Sequence, residues 1–66
     1  MKIILLSYKQ LYIYDNVKYI KTEKIEKQKW LFIQFKENTP EYKSFNNQGG
    51  NTYIGIDNKD KIIITE

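Results

Sequence analysis

Three short β-prone runs of this 66-residue chain are apolar on both of their alternating sides. In residues 2–8, Ile3 and Leu5 oppose Ile4 and Leu6. In residues 29–36, Trp30 and Phe32 oppose Leu31 and Ile33. In residues 61–65, Ile62 and Ile64 flank Ile63. Successive side chains of a strand point to opposite faces, so a sheet with one wet face shows cleaner alternation than this. Strands of this kind either curl around a core as a barrel or have their second face covered by another protein. In so short a chain the second option has weight, and a homo-oligomer or a dedicated protein partner is expected.

Length sharpens the point. Residues 1–66 make one small β-rich domain, and a domain of this size buries only about 60% of the surface its extended chain exposes. The usual reinforcements of small domains are missing, because the chain has neither Cys nor His. That removes disulfides, thiolate metal sites and the commonest general base together. Ser7 and Ser44 have no His partner, and Glu23 and Glu26 sit in an exposed lysine-rich run with nothing to desolvate them. No enzyme, cofactor or metal is expected. The apolar start of the chain ends at Leu6 with no small-residue cleavage site after it, and no stretch approaches the roughly 20 apolar residues of a membrane span. A cytoplasmic protein with no membrane contact is expected. Ile, Lys, Tyr, Asn and Phe dominate while Ala and Arg are absent. That bias fits an A/T-rich genome and a phage or mobile-element source, and it inflates the Lys and Tyr counts.

The pass along the chain is mostly strand. Beyond the runs above, residues 10–14 alternate, with Leu11 and Ile13 on one side and Tyr12 and Tyr14 on the other. Asp15-Asn16 tolerates a left-handed backbone and predicts a hairpin to a return strand over 17–22. Residues 52–56 and 61–65 predict a second hairpin across Asp57-Asn58-Lys59-Asp60. Residues 22–28 read as an exposed strand or a long hairpin connection. Thr39 as N-cap, Pro40 at the first helical position and Glu41 near the positive dipole end predict a short helix over 40–48. Gly49 and Gly50 close it, and Tyr42 and Phe45 face the core. The expected fold is mainly β: a small antiparallel sheet or a partly open five-stranded barrel, with one short helix near residues 40–48.

Charge is uneven. Residues 1–36 hold eight lysines against Asp15, Glu23 and Glu26, a balance of +5, whereas 37–66 balance at −2. Lys18, Lys21, Lys24 and Lys27 recur every third residue, close to Tyr19 and Trp30. A phosphate-tracking patch with aromatic stacking platforms is one reading. Solubilising charge on an edge strand is the other, and a spacing of three sends successive lysines of a strand to opposite faces. Without Arg, bidentate base readout is unavailable. Tyrosines on one side of a hairpin make a recognition surface or simply pair across strands. Trp30 reads as a core residue. The run Asn46–Asn51 reads as a helix C-cap and turn rather than a P-loop, and 57–60 as a turn rather than a calcium loop. The leading expectation is a non-enzymatic protein-binding protein, in a phage an inhibitor of a host factor. Its surface is Tyr12, Tyr14 and Tyr19, rimmed by Lys18 and Lys21. Two alternatives stand beside it: a nucleic-acid-binding module built on the basic aromatic half, and an oligomer sequestering a small anionic ligand.

Overall fold

Period-two patterning resolves into six strands and one short helix in the computed structural model, which describes residues 1–8 and 10–66. The strands are β1 (Lys2–Leu6), β2 (Leu11–Tyr14), β3 (Val17–Ile25), β4 (Gln28–Phe35), β5 (Asn51–Ile56) and β6 (Lys61–Thr65), with helix α1 (Pro40–Ser44) between β4 and β5. They form two antiparallel three-stranded sheets. Sheet A has the order β2-β1-β6 and sheet B the order β3-β4-β5. The mainly β class with its one short helix therefore holds. The five-stranded barrel does not form, because the strands divide between two sheets instead of closing on themselves.

One core lies between the sheets. Ile3 and Leu5 come from sheet A, and Val17, Leu31, Ile33, Phe35, Ile54 and Ile56 from sheet B. Cutting any of the fully buried members back to Ala costs about 2–5 kcal/mol. Among the described residues no helix is long and apolar enough to cross a membrane.

Both predicted hairpins are corners between the sheets. Asp15-Asn16 carries the chain from β2 in sheet A to β3 in sheet B, and 57–60 carries it back from β5 to β6. Asn16 does take the left-handed backbone its sequence allows, at φ 58°. Its surroundings decide where it leads. The Val17 N–H donates to the Met1 carbonyl at 3.0 Å, the Asn16 carbonyl accepts from the Lys36 N–H at 2.8 Å, and the Asn16 amide donates to Glu41 at 2.9 Å. These long-range bonds turn β3 away from β2. The tightest true hairpin joins β3 to β4 through Glu26-Lys27, with Glu26 at φ 58°. Residues 22–28 thus run as strand to Ile25 and then turn.

The helix follows its local signals. Thr39 is extended, and its hydroxyl oxygen accepts from the Tyr42 N–H at 3.2 Å. Tyr42 and Phe45 pack against the core as their spacing predicts. Phe45 stacks on Phe35 with ring centroids 5.4 Å apart. A 3-10 turn over Asn46–Gln48 follows the helix, Gly49 and Gly50 leave that turn at φ 77°, and a Cβ on Gly50 would run into the Tyr42 ring. Backbone and packing both demand glycine at position 50.

Candidate functional site

Two solvent-facing sheet surfaces compete for a function, and each follows from which side of its sheet meets the core. In sheet A, Ile3 and Leu5 are buried, so the opposite side carries Ile4 and Leu6. Directly paired residues share a face. Ile13 and Ile63 therefore flank Ile4, and Leu11 and Lys61 flank Leu6. Five aliphatic side chains form one patch on this outer face. Leu6, Leu11, Ile13 and Ile63 are between 41% and 54% exposed. Lys2 and Thr65 pair at one end of it, and Lys61 marks a corner at the other.

Tyr12 and Tyr14 lie on the other, inner side. They pair with Leu5 and Ile3 and pack half-buried against the core. Tyr14 meets Phe35 edge-on at 5.4 Å and Phe45 at 6.3 Å, and Tyr12 stacks on Tyr14 at 6.3 Å. Burial, followed by the neighbouring Tyr12, raises the Tyr14 phenol above its ordinary value. The alternation of 10–14 is as the sequence shows, but its outward side is Leu11 and Ile13. The reason is the aromatic wall of Phe35 and Phe45, which offers the tyrosine rings a better surface than water does. Tyr12 and Tyr14 are thus withdrawn from the recognition surface expected of them.

The outer face of sheet B is aromatic. Register sets Lys21, Phe32 and Tyr53 side by side, with the row Tyr19–Gln34–Asn51 on one flank and Glu23–Trp30–Gly55 on the other. Tyr53 lies 4.9 Å and Tyr19 5.8 Å from the Phe32 ring, and the Lys21 ammonium sits 5.2 Å above it. This cover leaves Phe32 only 7% exposed, while Tyr19 and Tyr53 remain 45% and 47% exposed. Glu23 bonds Lys21 at 3.1 Å, and this hydrogen bond and charge raise the Lys21 pKa. Trp30 is half-buried on this same outer face and is no part of the core. It stands beside Gly55 of the paired strand. With Ile25 and Tyr53 it lines an apolar recess of about 290 Å³. The polar groups at the margin are already engaged. Asn51 donates to the Gln34 carbonyl oxygen at 3.2 Å, and the Gln34 amide donates to the Phe35 and Gly50 carbonyls. The surface is ringed by amides and an ion pair.

The lysines separate as their spacing predicts. Lys21 belongs to the outer face, whereas Lys24 pairs with Lys29 on the other side of the β3–β4 hairpin. Lys18 is exposed beside the irregularity between Val17 and Tyr19. Lys24, Lys27 and Lys29 line an open concavity of about 630 Å³ with Thr22, Asn58 and the carboxylates Glu23 and Asp57. Lys29 enters this group from the return strand, so no spacing along the chain could reveal it. Two carboxylates among three cations leave it a weak claim on anions. Of the five residues expected to bind a partner, Tyr19 and Lys21 come together, Lys18 lies exposed nearby in the same strand, and Tyr12 and Tyr14 are elsewhere. Phe32, Trp30 and Tyr53 complete the surface. Their alternation with the buried Leu31, Ile33 and Ile54 was the available signal. No family model, no curated protein and no solved structure matches this chain.

Proposed function

We propose that this chain is a small, non-enzymatic, cytoplasmic protein that works by binding another protein through the outer face of sheet B. One observation carries the reading: Tyr19 and Tyr53 stand half-exposed on either side of a nearly dry Phe32, beside Trp30. Tyr and Trp are the residues that most often anchor protein interfaces, because each supplies a large contact area and few torsions to freeze. Mounting them on strands makes the surface pre-organised, which lowers the entropy lost on binding. The margin of Lys21, Glu23, Gln34 and Asn51 matches the polar rim that surrounds such anchors. Because the residue usage fits an A/T-rich genome, inhibition of a host factor by a phage or mobile-element product is the biological form this binding would take.

Single-stranded nucleic acid also stacks on sheet-borne rings. The placement of charge speaks against it here. Lys21, the cation beside the rings, is already paired with Glu23, and Lys24 and Lys29 lie across the hairpin. Phosphates following the rings would meet few free cations. Affinity capture from the native lysate, with and without nuclease and with Tyr53→Ala as a second bait, tests the proposal. A protein retained after nuclease and lost with Tyr53→Ala is the expected result. Release by nuclease, together with affinity for generic single strands that falls steeply with salt, would transfer the function to nucleic acid. If wild type and Tyr53→Ala capture the same proteins, the surface is misassigned.

A further inference from the structure

Strand β6 is the free edge of sheet A on the far side of β1. We propose that this edge takes up an extended segment of another protein as a fourth, antiparallel strand, through a surface separate from the sheet B face.

Exposure on both sides of β6 locates the missing neighbour. Ile63 pairs with Ile4 on the outer face and is 43% exposed. Ile64 pairs with Ile3 on the inner face and is 50% exposed, although Ile3 itself is buried. On the other side of Ile3 the row is closed by Tyr14, packed on Phe35 and Phe45. Beyond Ile64 the sheet ends. A helix or sheet laid on either face would cover only one of these two side chains, because they point in opposite directions. A strand lying in the plane of the sheet, alongside β6, touches both. The backbone calls for the same occupant. Every second residue of an edge strand turns its N–H and C=O away from the sheet. Among the described residues, no backbone group of 61–65 bonds another backbone outside the β1 ladder. An extended segment presents donors and acceptors at the matching spacing.

The other three edges are guarded. Strand β2 has only four residues. Strand β3 carries Lys18, Lys21 and Lys24 and a register irregularity between Val17 and Tyr19. Strand β5 has Gly55 within it, and glycine weakens a strand. Short length, lysines and bulges are the devices that keep edges from pairing. Strand β6 has none of them. Its register is continuous, it lacks Gly and Pro, and no charge lies between Lys61 and Glu66. The run Ile62–Thr65 is β-branched throughout, the composition that best suits a strand.

Charge at the two ends sets what the segment is. Lys61 opens β6 and Glu66 follows it. An antiparallel segment that is basic at its start, apolar in its middle and acidic at its end places its base beside Glu66 and its acid beside Lys61. A second copy of β6 fits worse. Paired about Ile63, the register that uses all five residues, it brings Glu66 opposite the other copy's Asp60, and like charges directly opposed are destabilising.

Titration with the capped peptide Lys-Val-Ile-Val-Thr-Glu, followed by backbone amide NMR, tests the proposal. Saturable binding is expected below about 1 mM, with the largest shifts in residues 61–65. Methylating alternate peptide amides should abolish binding in one phase and spare it in the other, because only every second N–H would face β6. Ile63→Lys and Ile64→Lys alter side chains outside the core. Each should keep the wild-type circular dichroism and weaken binding at least about tenfold, as edge lysines do. Exchanging the peptide's terminal charges should weaken it about threefold. Tyr53→Ala and Ile13→Lys should leave it unchanged, which separates this edge from the sheet B reading and from the outer face of sheet A. No binding at about 1 mM, the same result in both methylation phases, or shifts centred on another edge overturns the proposal. So does a wild-type dimer that Ile63→Lys abolishes, since β6 would then serve a second copy.

Discussion

The outer faces of the two sheets are built on the same antiparallel lattice and carry similar numbers of apolar residues, half-exposed at the edges of both, yet their centres are covered to different degrees. On sheet B, Phe32 is almost dry because Tyr19, Tyr53 and Lys21 close over it from both neighbouring strands. On sheet A, Leu6, Leu11, Ile13 and Ile63 all remain about half-exposed. Directly paired side chains touch across the roughly 4.8 Å between strands on both faces, but rings and a lysine stem spread over a neighbour further than branched aliphatic side chains do. Ring size, rather than apolar content, sets how far the centre of each face is covered.

The largest effect should separate the faces by stability. Phe32→Ala removes a ring held by three neighbours and should cost about 3–4 kcal/mol, whereas Ile13→Ala should cost less than about 1 kcal/mol. Urea denaturation of both variants checks this, and equal costs would mean that the aromatic face does not shelter itself. Next comes partner affinity. Tyr53→Ala should weaken binding by about 2 kcal/mol, some thirtyfold, while Ile13→Ala leaves it unchanged. Titration calorimetry with the captured protein distinguishes them. Gly55→Ala should be smaller still and of opposite sign. A Cβ there meets the Gln28 amide at 3.4 Å and the Trp30 ring at 3.6 Å, which are ordinary contacts. Restricting the unfolded chain should then stabilise the fold by about 0.5 kcal/mol. Gly50→Ala is the contrasting control and should destabilise, since both its φ and the Tyr42 ring exclude a side chain.

The smallest effect is a pH dependence confined to the alkaline side. Tyr14, raised by burial, and Lys21, raised by its hydrogen bond to Glu23, both hold their protons more tightly when folded than their ordinary values of 10.0 and 10.5. Their contributions are fully present below those values and are lost as pH rises through the higher folded ones. Thermal unfolding should thus show no pH dependence from either group below about pH 9 and a decline above about pH 10. Tyr14→Phe should remove the inner-face share of that decline, and an unchanged alkaline profile in this variant would show that Tyr14 ionises freely. The Lys21 side chain is about half exposed, and its pair with Glu23 adds little to stability in salt.

Much of this architecture can be read from local chemistry. Thr39, Pro40 and Glu41 start the helix where their capping preferences place them. Asn16 adopts its left-handed turn, and each strand alternates as its residues require. The loss of information begins where a residue's meaning depends on distant chain. Asp15-Asn16 and 57–60 are turns in either reading, but a turn does not specify whether the next strand pairs with the last or crosses to another sheet. The bonds from Asn16 to Glu41 and Lys36 decide that at the first corner. Trp30 reads as core because tryptophan usually is, but its register in β4 sets it on the outer face beside Gly55 of the paired strand. The basic concavity was illegible because Lys29 joins Lys24 across a hairpin rather than along a repeat.

The strands with two apolar sides show where the division falls. The sequence by itself determined that Tyr12 shares a side with Tyr14, Leu11 with Ile13, and Phe32 with Trp30, since alternation is a property of the extended backbone and needs no neighbours. It also determined that β1, β4 and β6 would have more apolar surface than one core can absorb. Only the tertiary structure decided which side of each strand became interior, because burial depends on what stands across the sheet. For β2 that was the Phe35 and Phe45 rings, which drew the tyrosines in and turned Leu11 and Ile13 to the outside.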